Sequence, residues 1–549
     1  MLAIGVRLRA QRKKRPLKDS THLEADTELP LTPLEFMRRA RKLHGTREAV
    51  VDGATRLTYE QFGARCDRWA SALRRLGVRS GDRVGTIAPN THQHLEQFYA
   101  VPLLGAVLVP MNFRLTANDF VFMANHSGCK VLCVHEDYLE SIDAVRGRLT
   151  SVVHFIALEG SRRGWLGYEA LVANAESAVP PPELDERDLI SINYTSGTTS
   201  NPKGVMITHR NAWVNSVGTL THWPMTSADR YLWTLPMFHA NGWTFTWIVT
   251  AVAGTHVCLR KLDVRAIYSL INAERITSFC AAPTVLISIA NGPEKERGTL
   301  RQGVRLLTAG APPAAATIER IEGELGWNVT HIYGLTETTP FILICDPLPE
   351  HQQLTASQRA VVKARQGVEL ITSGELRVVT SEMQDVPRDA MTVGEIVVRG
   401  NVVMRGYYND PEATDTAFAG GWFHTGDAAV VHPDGYVEVR DRIKDIIISG
   451  GENISTIEVE GALLRHPAVL EVAVIGVPHE RWGESPKAFV VLRSEKEATA
   501  EDLKEFARAH LAHFKVPTAF EFVTALPKTA TGKIQKFVLR SGRANLSRQ

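Results

Sequence analysis

Tyr194-Thr195-Ser196-Gly197-Thr198-Thr199-Ser200-Asn201-Pro202-Lys203-Gly204 is a run of hydroxyls and glycine closed by Pro-Lys-Gly. The alternating stretch Leu189-Ile190-Ser191-Ile192-Asn193-Tyr194 leads into it and reads as a strand; Val205-Met206-Ile207 follows and reads as another. A loop of this composition between two strands offers backbone N–H groups, hydroxyls and one ammonium to a polyphosphate. Taken alone, the same composition also describes a flexible linker. No G-x-x-x-x-G-K-[ST] spacing occurs, so the helix-opening amides of a P-loop are not the device here. Ser196 has neither a G-x-S-x-G elbow nor triad spacing around it and is not a nucleophile candidate.

Working outward, strand and helix patterns alternate. Pro33 to Leu43 reads as a helix with Thr32 as its N-cap, and Glu48–Gly53 with Arg56–Tyr59 as a hairpin turned at Asp52-Gly53. Tyr59 to Leu76 has helical spacing and stops near Gly77. Arg83–Ile87, Ala106–Pro110 and Lys130–Val134 are apolar strands, and a helix runs through Phe98. This alternation predicts an α/β fold with parallel-rich sheets. Past about residue 370 short strands dominate, as in Gly394–Arg399 and Gly435–Val439, and Asp441-Arg442-Ile443-Lys444-Asp445 reads as an interdomain link. After it come a helix over 455–464, strands over 470–477 and 488–492, and a helix over 500–511, the pattern of a small α+β module. The expected division is a basic, disordered tail over 1–30, a large multi-subdomain N-terminal domain over 31–441, a hinge over 442–444 and a small mobile C-terminal domain over 445–549.

A chain of 549 residues is too long for one core. An apolar fraction of 44% and a charged fraction of 22% are those of a soluble globular protein, and a net charge of +2 gives no global case for nucleic acid or a membrane surface. No apolar run reaches the ~18 residues of a transmembrane helix. Residues 1–20 are basic without the apolar core of a secretory signal; a disordered tail is the expected reading, a membrane or nucleic-acid arm the alternative. Of the six cysteines, Cys129 and Cys133 are four apart, but no second pair completes a zinc site. Reduced thiols in a cytoplasmic protein are expected.

Six further segments carry a resemblance. They are Leu235-Pro236-Met237-Phe238-His239-Ala240-Asn241-Gly242-Trp243, Ala309-Gly310-Ala311-Pro312-Pro313, Tyr333-Gly334-Leu335-Thr336-Glu337-Thr338, Trp422-Phe423-His424-Thr425-Gly426-Asp427, Arg442 through Gly451, and Pro527-Lys528-Thr529-Ala530-Thr531-Gly532-Lys533-Ile534. With the 194–204 loop, and in this order over about residues 30 to 540, the set resembles the adenylate-forming (AMP-binding) superfamily in its acyl-CoA synthetase branch. Asn241-Gly242-Trp243 with Arg365-Gln366-Gly367 resembles the medium-chain fatty, methylthiopropionate-type and plant benzoate-type CoA ligases.

The resemblance implies ATP-dependent activation of a fatty or aryl carboxylic acid to an acyl-adenylate, release of pyrophosphate, and transfer to CoA. It assigns Thr195, Ser196, Gly197, Thr198, Thr199 and Lys203 to the β- and γ-phosphates, and Gly310, Ala311 and Pro312 to the adenine, on which Tyr333 stacks beside Gly334. It assigns Thr336 to the α-phosphate, Glu337 to Mg²⁺, Asp427 to the ribose hydroxyls with Arg442 in support, and Lys533 to the attacking carboxylate and α-phosphate. His239, Asn241, Gly242, Trp243 and Thr338 line the acid pocket. His239 also reads as a core histidine, and Trp243 equally as an acyl-tunnel gate or a packed wall. Lys444 is the implied hinge and Ser449, Gly450 and Gly451 the loop flanking the thiol tunnel. A homodimer is implied as well.

The chemistry suits these residue types. Two anions must meet, so their charge has to be neutralised while geometry is held. An ammonium point charge at Lys533 fits between them better than a guanidinium fork. One departure stands out: Thr518 lies where many CoA ligases carry a base for the CoA phosphates, with Lys515 nearby as a substitute. It leaves a second acceptor class in view: an amine, another nitrogen nucleophile such as nitrite, or a carrier-protein thiol.

Overall fold

A computed structural model describes residues 28–177, 183–195, 202–297, 300–311, 313–450, 452–493, 496–528 and 534–542. Two large sheets organise the N-terminal part. In the seven-stranded sheet, Arg83–Ile87, Val107–Met111, Cys129–Val134 and His154–Ala157 run parallel, and the hairpin Leu189–Thr195/Lys203–Thr208 closes one edge. Their near-continuous apolar character follows from burial on both faces by helices. In the nine-stranded sheet the parallel centre, Arg230–Trp233 through Asn328–Gly334, ends in the antiparallel strand Phe341–Ile344. A four-stranded antiparallel sheet spans Glu375 to Arg442, and a five-stranded sheet with three α-helices among the described residues, the last at Lys536–Arg540, makes the C-terminal part. The α/β class, with a large N-terminal and a small C-terminal domain, is as the alternation predicts.

Local signals explain many element ends. Thr58 caps the helix Tyr59–Arg75 through a reciprocal capping box with Gln61, and Gly77 follows it at φ +85°. The first helix runs Leu34–His44; Pro33 before it is already helical in φ and ψ (−61°, −14°), and the Thr32 hydroxyl accepts from Leu34 N–H (3.3 Å) in the manner of a cap while also pairing with His209 Nδ1 (2.8 Å). The strand expected from Gly435 starts at Val437 because Gly435 turns the chain at φ +85°. In the C-terminal part the helices lie at Thr456–Leu463 and Ala500–His510 and the long hairpin at Val469–His479/Gly483–Leu492.

A buried ionic pair joins the two large sheets' layers. Asp52, at the end of Glu48–Asp52, accepts from His92 N–H (3.1 Å), His92 Nδ1 (2.8 Å) and Arg260 (3.1 Å). Burial opposes ionisation of both partners. His92 and Arg260 nevertheless hold the Asp52 carboxyl down to about 2, and Asp52 and Glu169 push His92 up to about 9. Asp52's contribution is complete above its ordinary value near 4 and lost as pH falls through about 2. That of His92 is complete below about 6.5 and lost as pH rises through about 9. The melting temperature is therefore expected to decline from pH 6.5 to 9, with up to about 3 kcal/mol at stake. Thermal melts across that range should show the decline in the parent protein and a flatter profile in His92→Gln.

Candidate active site

The edge hairpin of the seven-stranded sheet, the edge of the nine-stranded sheet and the four-stranded sheet converge on one region. Register pairs Thr195 with Lys203, so the ends of the hairpin strands place Lys203 at the mouth of the 196–201 segment. Ser196, Gly197, Thr198 and Thr199 lie outside the described residues, as do Pro312, Gly451 and Lys533.

Behind the hairpin, three buried polar side chains close a ring. Ser191 Oγ donates to Asn193 Oδ1 (2.8 Å), Asn193 Nδ2 to Asn241 Oδ1 (3.2 Å), and Asn241 Nδ2 to Ser191 Oγ (2.7 Å). Asn193 also donates to the Phe238 carbonyl (3.1 Å). Fully paired, such a ring is rigid; partly paired, it would be costly in the interior. It ties the strand leading to Lys203 to the His239–Trp243 segment.

That segment has an unusual backbone. Ala240, Asn241, Gly242, Trp243 and Thr244 all have positive φ, between 36° and 65°, a left-handed turn that costs L-residues energy and persists only where surroundings enforce it. Gly242 is required twice over: its φ is +59°, and a Cβ there would stand 2.6 Å from the Trp233 ring. Gly242→Ala is expected to lower stability by about 2–4 kcal/mol through strain and overpacking, readable in denaturant titrations. Trp243 is buried and meets Phe341 edge-on (centroids 5.6 Å), with the half-buried His239 ring 6.4 Å away. Thr338 is fully buried; its hydroxyl accepts from Leu335 N–H (2.9 Å) and turns toward the Leu335 and Pro340 carbonyls, so it is used within its own turn. Gly334 admits that turn, since a Cβ would fall 1.7 Å from the Pro340 oxygen.

On the opposite side, Asp427 and Arg442 are register partners in the four-stranded sheet. Arg442 Nε meets Asp427 Oδ1 at 2.7 Å, and the Tyr333 hydroxyl donates to Asp427 Oδ2 at 2.5 Å. Burial, then the Asp427 charge, raises the Tyr333 pKa well above its ordinary value, so the phenol stays a donor. Gly310 follows the strand Arg305–Thr308 at φ +89° with open space where a Cβ would be.

Glu337 lies in the short turn Thr336–Thr338. Its Oε1 accepts from the Tyr407 hydroxyl (3.0 Å), and Oε2 has no partner among the described residues. Lys203 Nζ sits 4.8 Å from the centroid of the same Tyr407 ring. Mg²⁺ fits this donor set, because it is bound through one or two carboxylates, substrate phosphates and water rather than an all-protein cage. No group of three or more His, Cys, Asp or Glu that could hold a metal occurs among the described residues.

The residues expected at the hinge and thiol tunnel lie in the turn Ile443–Asp445 and at the end of the strand Ile447–Ser449. Lys444 is exposed in the turn Ile443–Asp445; Asp441 beside it accepts from Thr456 N–H (2.7 Å), anchoring the C-terminal helix. Gly450, at φ +60°, donates its N–H to the Trp482 carbonyl (2.8 Å). Lys528 and Ile534 pair across the 529–533 segment. Lys515 is held by Glu458 (2.8 Å) and Thr518 Oγ1 lies 3.0 Å from Ser485 Oγ, so Lys515 is already engaged as an ion pair where a substitute base was expected.

Sequence reading missed Tyr407, Ser191 and Asn193. A phenol directly after a glycine in Arg405-Gly406-Tyr407-Tyr408 was the available signal for the first. The other two read only as the polar phase of a strand.

Residues 36–408 match the AMP-binding enzyme family and residues 458–533 the AMP-binding enzyme C-terminal domain. Trans-cinnamate:CoA ligase of Petunia hybrida is 41% identical over 536 residues, covering 93% of this chain and 94% of that protein. Acetate–CoA ligase CCL3 of Humulus lupulus is 43% identical over 538 residues, with coverage of 93% and 94%. Among solved structures, the anthranilate CoA ligase AuaEII in complex with anthranoyl-AMP superposes with a TM-score of 0.84 at 26% identity, covering 94% of this chain and 98% of that one. The chain belongs to the AMP-binding enzyme family. It is an AMP-forming acid–CoA ligase, which activates a carboxylic acid with ATP and passes the acyl group to CoA.

Proposed function

We propose that the acid is a fatty or aryl carboxylic acid taken against the Trp243–Phe341 wall, and that the residues above divide the reaction as follows. Lys203 and the 195–199 segment hold the β- and γ-phosphates, Thr336 the α-phosphate, and Asp427 the ribose hydroxyls. Tyr333 and the 310–312 turn hold the adenine. Glu337 holds Mg²⁺, which when bound supplies positive charge to the leaving pyrophosphate. Lys533 stands between carboxylate and α-phosphate. The carboxylate oxygen attacks the α-phosphorus and pyrophosphate leaves. The domains divide as 31–441 and 445–549, and the smaller turns about Lys444 to exchange Lys533 for Ser449, Gly450 and Gly451. The CoA thiolate then attacks the acyl carbonyl and AMP leaves.

The observation that carries this reading is the Tyr333–Asp427–Arg442 chain facing the Glu337–Tyr407–Lys203 group: a diol acceptor and a paired metal-and-phosphate cluster, as a nucleoside polyphosphate requires. Relatives named for acetate, cinnamate and anthranilate support an acid of the fatty or aryl class. Pyrophosphate release across short, medium, long and aromatic acids, each with and without CoA, tests it. Sustained release that needs CoA and favours one acid class supports the reading. Release spread evenly over all the acids would overturn the fatty-or-aryl assignment.

We propose the cytoplasm as its location; the six buried free thiols fit a reducing compartment of any kind, and the Petunia relative is a peroxisomal protein. No helix among the described residues is long and apolar enough to cross a membrane.

A further inference from the structure

We propose that Tyr407 is a positioning residue that sets the metal-holding carboxylate and the phosphate-holding lysine in one frame, using its hydroxyl for Glu337 and its ring face for Lys203. The inference rests on the reading of Glu337 as the metal carboxylate. Its basis is the strap Met404–Tyr408, which is fastened to both partners through the backbone. Met404 N–H donates to the Glu337 carbonyl (2.7 Å). Arg405 N–H donates to Met206 O (2.9 Å), Met206 N–H to Gly406 O (3.0 Å), and Tyr408 N–H to Gly204 O (2.7 Å), so the strap continues the hairpin that carries Lys203. Gly406 turns at φ +140°, where a Cβ would meet Thr414 at 2.8 Å, and Tyr407 N–H donates to Thr414 Oγ1 (2.9 Å). The Tyr407 side chain is thereby fixed from its backbone outward. Its hydroxyl occupies Oε1 of Glu337 at 3.0 Å and leaves Oε2 for a cation. Its ring lies 4.8 Å from Lys203 Nζ, within cation–π range, and restrains the ammonium there. Partners that orient a metal-bound carboxylate set metal affinity by about 10–100-fold.

Calorimetric binding of α,β-methylene ATP, which cannot be adenylated, tests this without turnover. Affinity is measured for the full chain with Mn²⁺ and with EDTA, and the ratio of the two reports the coupling of metal to nucleotide. Tyr407→Phe keeps the ring and removes the hydroxyl. It is expected to shrink the ratio about tenfold while the EDTA affinity stays within about twofold and the melting temperature holds. Tyr407→Ala is expected to weaken the EDTA affinity as well, because Lys203 loses its wall. A full ratio in Tyr407→Phe, with a reduced ratio in Glu337→Gln, overturns the role of the hydroxyl. A full ratio in Glu337→Gln overturns the metal reading of Glu337 and the inference with it. Equal EDTA affinities for the Phe and Ala variants overturn the Lys203 arm.

Discussion

Lys533→Ala is expected to lose acid adenylation by about 10²–10³-fold while keeping thioester synthesis from supplied acyl-adenylate. The first step brings a carboxylate against a phosphate already carrying charge. A preorganised positive group at that point is worth that order in rate, because it acts where charge is redistributed and in a site from which water is partly excluded. The second step meets no such repulsion: the acyl-adenylate is formed, the attacking thiolate approaches a carbonyl, and the lysine has no partner there. The structural basis is local. Lys528 and Ile534 pair with each other, and Gln535 N–H donates to Pro527 O at 2.8 Å, so the residues on either side of 529–533 are tied together. Pyrophosphate release reads the first step, and acyl-CoA formation from synthetic acyl-adenylate reads the second. Adenylation within tenfold of the parent would remove Lys533 from the mechanism. Equal loss in both steps would mean the variant damages the domain rather than the charge.

The second large effect is expected at Asp427. Its two oxygens are already engaged, one by Tyr333 at 2.5 Å and one by Arg442 at 2.7 Å, and the side chain is 6% exposed. Each oxygen retains a lone pair for a ribose hydroxyl, and hydrogen bonds to a charged acceptor contribute about 1.5–3 kcal/mol. Asp427→Asn replaces one acceptor oxygen by a donor amide that faces either the Arg442 guanidinium or the Tyr333 hydroxyl. Removing one partner of such a pair strands the other, which costs about 3–5 kcal/mol when the pair is buried. ATP affinity is expected to fall by about 10–150-fold, and the melting temperature to drop with it. Nucleotide titration by calorimetry together with a thermal melt separates the two parts. A stability loss with unchanged ATP affinity would leave Asp427 a structural residue only.

The candidate site was legible in unequal parts. Motifs that sit on the loop or turn after one strand, such as Thr195 to Lys203 or Tyr333 to Glu337, are local in the chain. The hydroxyls, glycine and lysine of the first point to phosphate by type, and the second takes its metal role from the resemblance to the family. Tyr407 was not legible, because its partners are 70 residues away at Glu337 and across the hairpin at Lys203. The same holds for the Ser191–Asn193–Asn241 ring, whose members read as polar phases of separate elements. The Thr32 cap was legible as a local preference, but its second partner, His209, lies 177 residues away and was not.

What the sequence by itself determined was the class of the molecule: alternating elements, glycines where the backbone must turn left-handed, and chemistry-bearing residues in a fixed order. Periodicity, φ restrictions and charge type act within a few residues, so they survive in a one-dimensional reading. Only the tertiary structure decided which carboxylates are held and by what: Asp427 between Tyr333 and Arg442, Glu337 by Tyr407, Asp52 by His92 and Arg260. Such pairings are set by sheet register and by packing between layers. They join residues far apart in the chain, and burial gives them an energy that no local pattern encodes.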